Sequence, residues 1–500
     1  MVSLDIPIEK IRLIKSKAKE ILDIIKSTNK NVLIVSFGNP DNLCSVGILM
    51  QSLKQLNIGS HAMFLDNNRN LEKRLKRFEY STFIFIGLQI SDLPKYITEK
   101  EEINIILINH EMSPKEEKKI NEERFKILSL VQFEIPIEAI SNSGLAYYFA
   151  EGFNDEYQQY SGLAIIGAIS KRQINPKNQE LIGLNTMILN EGKGEGYIVE
   201  TKGTRIPGRE SQPIHLALKY SINPYFAGLT GNESACTAFV SRLGIRMEDP
   251  DGNLRTIASL EMEETQKLND ALISKLMETE TQSVSDIYKL IGPIYILSKE
   301  TEKSQARNVE EFLWLLDGAC QLKKYSLALA IILGDRANLF DQLIRDLSNY
   351  HGKASQIIED IVNNPEKIED KTYFRFIDGT SFLDIESTSL VINALVESGI
   401  IPIDVPLISI IKKEKSCYLF IYESPQNIQK GFLIYHTIPE LESQKLVENI
   451  LGDEKFFRIS FKEDNFEKIM ESMNKSFEYH HKGKKEEKKE KKDDSKTKGN

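Results

Sequence analysis

Residues 32–45, VLIVSFGNPDNLCS, are the stretch whose residue types and order most clearly suggest chemistry. Four consecutive apolar residues, Val32 to Val35, run into a polar turn, Ser36 to Asn42, and a helical pattern follows from Cys44. A buried parallel strand delivers side chains in this way to the carboxyl edge of a sheet, where α/β proteins place their ligands. The turn holds one carboxylate, Asp41, beside Asn39 and Phe37. It has the position of a metal-binding turn and lacks most of the ligands.

Other candidates are weaker. The glycine-rich GKGEG at 192–196 follows no buried strand and predicts a loop, not a phosphate cradle. There is no P-loop, and the histidines are too few to argue a Ser/His/Asp order. Cys44, Cys236, Cys320 and Cys417 are too far apart for zinc or disulfide spacing, and Cys44 and Cys320 fit buried positions of helices. This usage suggests a reducing, intracellular setting. His215, among Ile214, Leu216, Ala217 and Leu218, fits a core histidine, and Trp314 in FLWLL fits the core. His480 and His481 are expected to be a chance pair, and Asn232-Glu233-Ser234 a chance sequon.

The elements that must position the turn alternate. Strands are predicted at 32–36, 61–66, 82–88 and 103–109, with VQFEI (131–135) as a short edge candidate. Helices are predicted at 44–55, 70–78, 141–153 and 162–173, after an amphipathic helix built on Ile11, Leu13, Ile14, Ala18, Ile21, Leu22 and Ile25. This rhythm predicts an α/β fold with a parallel, doubly wound sheet. Past residue 200 a Gly/Pro-punctuated segment with short helices leads to a long acidic helix at 256–278. Two helices over 309–335 and one over 337–362 follow. RFIDG, LISIIKK, CYLFIYES and GFLIYHT then predict a smaller C-terminal α/β unit, with a helix at 440–451.

Charge divides the chain unevenly. Nine Lys against five acidic residues in 482–500 give the tail +4 of a formal −9, which leaves −13 on residues 1–481. An acidic body is a poor unaided ligand for a phosphate backbone. The tail has no apolar residue and is expected to be disordered. No apolar run approaches the ~20 residues that cross a bilayer, and the N-terminus has no secretory pattern.

The order of segments resembles the DHH phosphoesterase superfamily, in particular its archaeal RecJ-like branch. In that family a turn Ser-His-x-Asp-x-Asp-Gly-x-x-Ser, a strand ending in Asp, a strand ending in Asp-His-His and a helix with Asp-Arg bind two manganese ions. Here the turn is Ser36-Phe37-Gly38-Asn39-Pro40-Asp41-Asn42-Leu43-Cys44-Ser45. Phe37 stands in the histidine slot and Asn39 in the first aspartate slot. Gly87 takes the second strand's aspartate slot, Asn109-His110-Glu111 the name-giving triplet, and Lys171, before Arg172, the last aspartate slot. LNTMILNEGKGEGYI, GRESQPIHLALKYSINPYFAGLTGNESA and FLWLLDGACQLKKYSLALAIILGD are similar to framework segments of the branch. No glycine-rich His loop stands near GDEKFFRIS, and CYLFIYES lacks the arginine of the DNA-holding strand.

The resemblance implies a degenerate DHH-like α/β domain over 1–200, a connecting or inserted, mostly helical region over 201–305, a DHH-associated α/β domain over 306–479 and the charged tail over 480–500. Two divalent ions bring four positive charges for carboxylates and imidazoles to offset. Phe37 has no lone pair, Gly87 no side chain, Asn39 and Asn109 only neutral amides, and Lys171 adds a cation. The expectation is therefore an inactive homologue without cofactor or catalytic residues, in which Lys171 pairs with Asp41 in place of metal. The role implied is that of a Cdc45/RecJ-like subunit of the archaeal replicative helicase. Its partners would be the GINS complex and the MCM ring, with at most a weak single-stranded DNA contact, in the cytoplasm and nucleoid. The alternative is a diverged single-strand exonuclease or oligonucleotide phosphodiesterase using one metal on Asp41, His110 and Glu111.

Overall fold

Five parallel strands in the order β2–β1–β3–β4–β5 form the first sheet of this computed structural model: β1 (Val32–Phe37), β2 (Ser60–Leu65), β3 (Thr82–Ile86), β4 (Asn104–Asn109) and β5 (Phe125–Ser129). The structure describes residues 4–479 except 5, 29–30, 68–70, 118–124, 154, 279–286, 288, 403, 415, 425–426, 429–433, 435–436 and 453–455. The tail, with His480 and His481, and most of GFLIYHT therefore lie outside the described residues. The chain forms two compact units. The first comprises residues 1–217, 244–269 and 284–348, and the second 218–243, 270–283 and 349–500.

In the first unit, Val32 to Val35 and Phe83 to Ile86 are buried, as strands covered on both faces must be. β1 pairs with β2 on one side and β3 on the other. The topological switch therefore falls between the carboxyl ends of β1 and β3, where such sheets open a crevice. The helix after β1 is Pro40–Gln55, four residues longer at its start than the apolar pattern suggests. Asn39 accepts the Asn42 N–H at 2.9 Å as N-cap, and Pro40 supplies the fixed φ of a first helical residue. Asp41 thus belongs to a helix and not to a loop.

Three expectations fail in this unit. VQFEI is not a strand. Phe125–Ser129 is the edge strand, and Val131–Phe133 is a 3-10 turn closed by Glu134 at φ 51°. GKGEG is not a loop throughout, because the helix Leu184–Gly194 continues into it and turns at Gly196. Of the apolar face of the first helix, Ile8–Thr28, Leu13 is 53% exposed while the other six positions are buried.

β6 (Ile198–Thr204) and β7 (Ile291–Leu297) pair antiparallel, and the Arg205 N–H donates to the Leu290 carbonyl at 2.7 Å. The chain between them holds Ile214–Tyr220, Glu233–Arg242 and Met262–Met277 as helices. Helix Val309–Gln321 packs on Ser161–Ser170, and Tyr325–Ile332 packs on Pro40–Gln55. A Cβ at Gly47 would clash with Ile332, so glycine sets how closely that last pair approaches. Residues 306–348 therefore complete the first unit's core, whereas the sequence places them with the C-terminal sheet. Trp314 and His215 are half-buried, less enclosed than their apolar neighbours imply. All four cysteines are buried and free.

The second unit is built on a six-stranded sheet in the order β12–β13–β11–β10–β9–β8. Its strands are β8 (Glu369–Asp370), β9 (Arg375–Asp378), β10 (Leu407–Lys413), β11 (Ser416–Tyr422), β12 (Asn449–Gly452) and β13 (Phe456–Lys462). Only β9 and β10 are parallel. One core gathers Ala354, Ile358, Val391, Leu395 and Phe420, the other Leu419, Ile459, Phe461, Met473 and Phe477. Leu419 and Phe420 are successive residues of β11, so the two cores lie on opposite faces of the sheet. The expected helix at 440–451 is only Ile438–Ser443. Lys445, at φ 54°, ends it, and the Glu448 N–H already donates to Ser460. Among the described residues no helix is long and apolar enough to cross a membrane.

Candidate functional site: the carboxyl edge of the parallel sheet

The residues singled out from sequence meet at the switch point of the first sheet, but not as ligands of one centre. The Asp41 carboxylate is fully buried. Its Oδ2 accepts the N–H of Asn142 at 3.0 Å and its Oδ1 that of Ser143 at 2.8 Å. These are first-turn donors of helix Asn142–Glu151, capped by Ser141, so the carboxylate sits on the positive end of a helix dipole. Helix Ser161–Ser170 passes so close that a Cβ at Gly167 would clash with both Asp41 Oδ1 and Ser143 Oγ.

The empty aspartate slot is filled by amides. Gly87 has φ +70°, and a Cβ there would stand 2.8 Å from Asn42 Nδ2 and 3.3 Å from Asn142 Nδ2. Asn142 donates its Nδ2 to Asn42 Oδ1 at 2.9 Å, and its Oδ1 accepts the His110 N–H at 2.8 Å. Asn109 donates to the Leu88 carbonyl at 3.1 Å and accepts the Glu111 N–H at 2.9 Å. Its amide ties two adjacent strand ends, β3 and β4, where a charged ligand would be held only by paired charge. Asn39 is occupied as the N-cap, and Phe37 packs into the apolar layer of Val35, Phe85 and Leu107.

One ion pair closes the edge. Lys171, the C-cap residue of helix 161–170, places Nζ 2.9 Å from Glu111 Oε1. His110 Nε2 lies 3.3 Å from the same oxygen, and its Nδ1 is buried without a hydrogen-bond partner among the described residues. The expected Lys171–Asp41 pair does not form, because Asp41 already has backbone donors and Lys171 reaches Glu111. The His110 contact first, and then the Lys171 ammonium, hold the Glu111 carboxyl at about 2, against the opposing effect of half-burial.

Tyr325 covers the turn from outside. A Cβ at Gly38 would fall into its ring, which packs tilted against Phe64 at 5.6 Å. Its hydroxyl donates to Asp66 Oδ1 at 2.6 Å, and Lys323 reaches Oδ2 at 2.7 Å. Residue types alone did not bring Asn42, Asn142, Ser143 or Tyr325 to notice. The Ser141-Asn142-Ser143 run is a visible cap signal, but its partner a hundred residues upstream is not.

This donor set does not fit a pair of divalent ions. Both Asp41 oxygens carry N–H donors, Glu111 is held by the lysine of the last slot, and the remaining slots offer one imidazole, two amides, a phenyl ring and no side chain. Among the described residues no three His, Cys, Asp or Glu side chains converge as metal ligands would.

Residues 206–291, the stretch between the paired strands β6 and β7, match the DHH-CID domain family. Over 93% of this chain and 99% of the other, the fold matches CDC45 from Entamoeba histolytica with TM-score 0.65 at 10% identity. The chain has the RecJ/Cdc45-like DHH fold. An exonuclease RecJ bound to manganese matches at TM-score 0.53 and 12% identity over 95% of this chain and 96% of that one. RecJ from Thermus thermophilus in complex with Mn2+ matches at TM-score 0.51 and 12% identity, over 95% of this chain and 56% of the other. No curated protein sequence matches the chain. The Cdc45-like and RecJ-like folds thus share the framework of this chain, and the side chains at its carboxyl edge bear on which chemistry it supports.

Proposed function

We propose that this RecJ/Cdc45-like chain is a non-catalytic subunit of an archaeal replicative helicase that scaffolds the GINS complex and the MCM ring. One observation carries the reading: the space that a metal-binding aspartate would need at Gly87 is taken by the hydrogen-bonded amides of Asn42 and Asn142. Asp41 and Glu111 are the carboxylates left in the motif slots of this edge, and both are engaged by protein donors. The acidic body and the missing DNA-holding loop support a protein-binding role over a nuclease. A one-metal exonuclease on Asp41, His110 and Glu111 would have to break two backbone hydrogen bonds and one ion pair before binding metal.

The test is a manganese titration of the purified full chain on 5′-labelled single-stranded DNA, with reconstitution against GINS and MCM. The expected outcome is no nucleotide release at any manganese concentration and a stable complex with both partners. Manganese-dependent release that a Lys171→Ala exchange strengthens would establish the exonuclease reading instead.

A further inference from the structure

A cleft of about 200 Å3 opens in the first unit, away from the sheet's carboxyl edge. Leu163, Leu297, Phe312, Ile332, Leu333 and the Tyr197 ring supply its apolar lining. Most polar side chains on its wall are already engaged. Arg336 binds both Glu300 carboxylate oxygens and the carbonyls of Ile331 and Asp335, with its guanidinium 5.5 Å from the Phe312 ring. Gln51 donates to the Ile332 carbonyl, Gln159 to that of Glu156, and Gln55 to the Tyr160 hydroxyl.

Lys299 differs. It is exposed at the rim, 5.8 Å from the Tyr197 ring, and among the described residues no carboxylate pairs with it. Beside it Leu333 leaves 41% of its surface in water. The wall therefore offers a ligand polar and apolar surface in about equal measure, plus one cation without a carboxylate partner among the described residues. The volume falls below the roughly 300–1,000 Å3 of clefts that take whole small-molecule ligands, so it suits a single large side chain. Anchor side chains of protein interfaces fill pockets that exclude water around them.

We propose that this cleft is a socket for one aromatic or large aliphatic side chain of an acidic segment on a partner protein, whose neighbouring carboxylate pairs with Lys299. The proposal rests on the scaffold reading for its need of a protein partner, and the chemistry of the partner segment comes from the cleft.

The probe is a fluorescein-labelled peptide, Gly-Ser-Asp-Phe-Asp-Ser-Gly, titrated with the full chain and followed by anisotropy, with phenylacetate as competitor. Saturable binding is expected, weakened at least tenfold when Phe becomes Ser and severalfold when both Asp become Asn. Leu333→Glu and Lys299→Glu should each weaken it at least fivefold with unchanged melting temperature, and Lys299→Arg should retain it. No binding, or equal binding by Leu333→Glu, overturns the socket. Binding of phenylacetate without the peptide also overturns it and makes the cleft a small-acid site. GINS and MCM binding is measured on the same preparations. If the peptide binds while neither complex does, the replication reading falls and the socket stands; if both complexes bind wild type and the peptide does not, the reverse holds.

Discussion

Glu111 and Glu423 show what the two units do with a carboxyl group. Glu111, at the carboxyl edge of the parallel sheet, is half exposed, faces His110 and Lys171, and is held at about 2. Glu423, just past β11 in the second unit, is 1% exposed. Its Oε1 accepts the Ile434 N–H at 2.7 Å and its Oε2 has no hydrogen-bond partner among the described residues, so burial pushes it up to about 8. The first keeps its charge because the Lys171 ammonium and the His110 ring meet it; the second keeps its proton because among the described residues no cation offsets a buried charge there. Asp41 is a third case: full burial with no side-chain cation, and one backbone N–H on each oxygen. At this edge one helix N-terminus and one lysine compensate the two carboxylates.

The largest effect should come from removing that compensation at its centre. Asp41→Ala leaves two helix N–H groups buried without acceptors and should cost roughly 3–5 kcal/mol of stability, read from urea unfolding. Asp41→Asn should cost less, since one oxygen still accepts.

Glu423 gives the opposite sign. Its folded value lies above its unfolded one, so its contribution is full below about pH 4.5 and is lost as pH rises to about 8. Glu423→Gln should remove that decline and stabilise the protein by roughly 3–5 kcal/mol at pH 9. Melting temperatures between pH 5 and 9 check it, and a parallel decline in both proteins would refute it.

Restoring the aspartate of the manganese-binding pattern should fail. Gly87→Asp places a Cβ 2.8 Å from Asn42 Nδ2 at φ +70°, so about 2 kcal/mol of stability is lost and no manganese-dependent cleavage gained. Lys171→Asp alone should not restore cleavage either, as the same nuclease assay would show.

The smallest effect belongs to the surface pair. Lys171→Ala should change stability at pH 7 by less than about 1 kcal/mol, because both side chains are partly solvated. Glu111 should then titrate closer to an ordinary glutamate. The depressed value stabilises above the unfolded value and is lost as pH falls toward 2, so the variant should differ from wild type mainly below pH 4.5. An NMR titration of the Glu111 carboxyl carbon measures it.

Much of the first sheet was legible because its strands are unbroken apolar runs, VLIV, TFIFI and NIILIN, each ending in a polar turn. The sequence did not show that Asn39 and Pro40 start a helix where a loop was expected, though both are ordinary start signals. VQFEI misled because its alternation looks like a strand, while the neighbouring FKILS has the better register beside β4. At the site, the position of Asp41 was legible and its partners were not. Backbone donors leave no side-chain signature, and the reach of Lys171 to Glu111 depends on where helix 161–170 ends.

The return of residues 309–332 to the first unit has a consequence for the order of synthesis. Helices 40–55 and 161–170 are made long before the helices that cover them. At ribosomal rates of about 5–20 residues per second, the interval between residue 200 and residue 332 is on the order of ten seconds. Throughout it helices 40–55 and 161–170 carry an apolar flank with its cover still unmade, and the turn at Gly38 lacks Tyr325. The first unit can therefore close only after residue 332 has been made, about two thirds of the way along the chain.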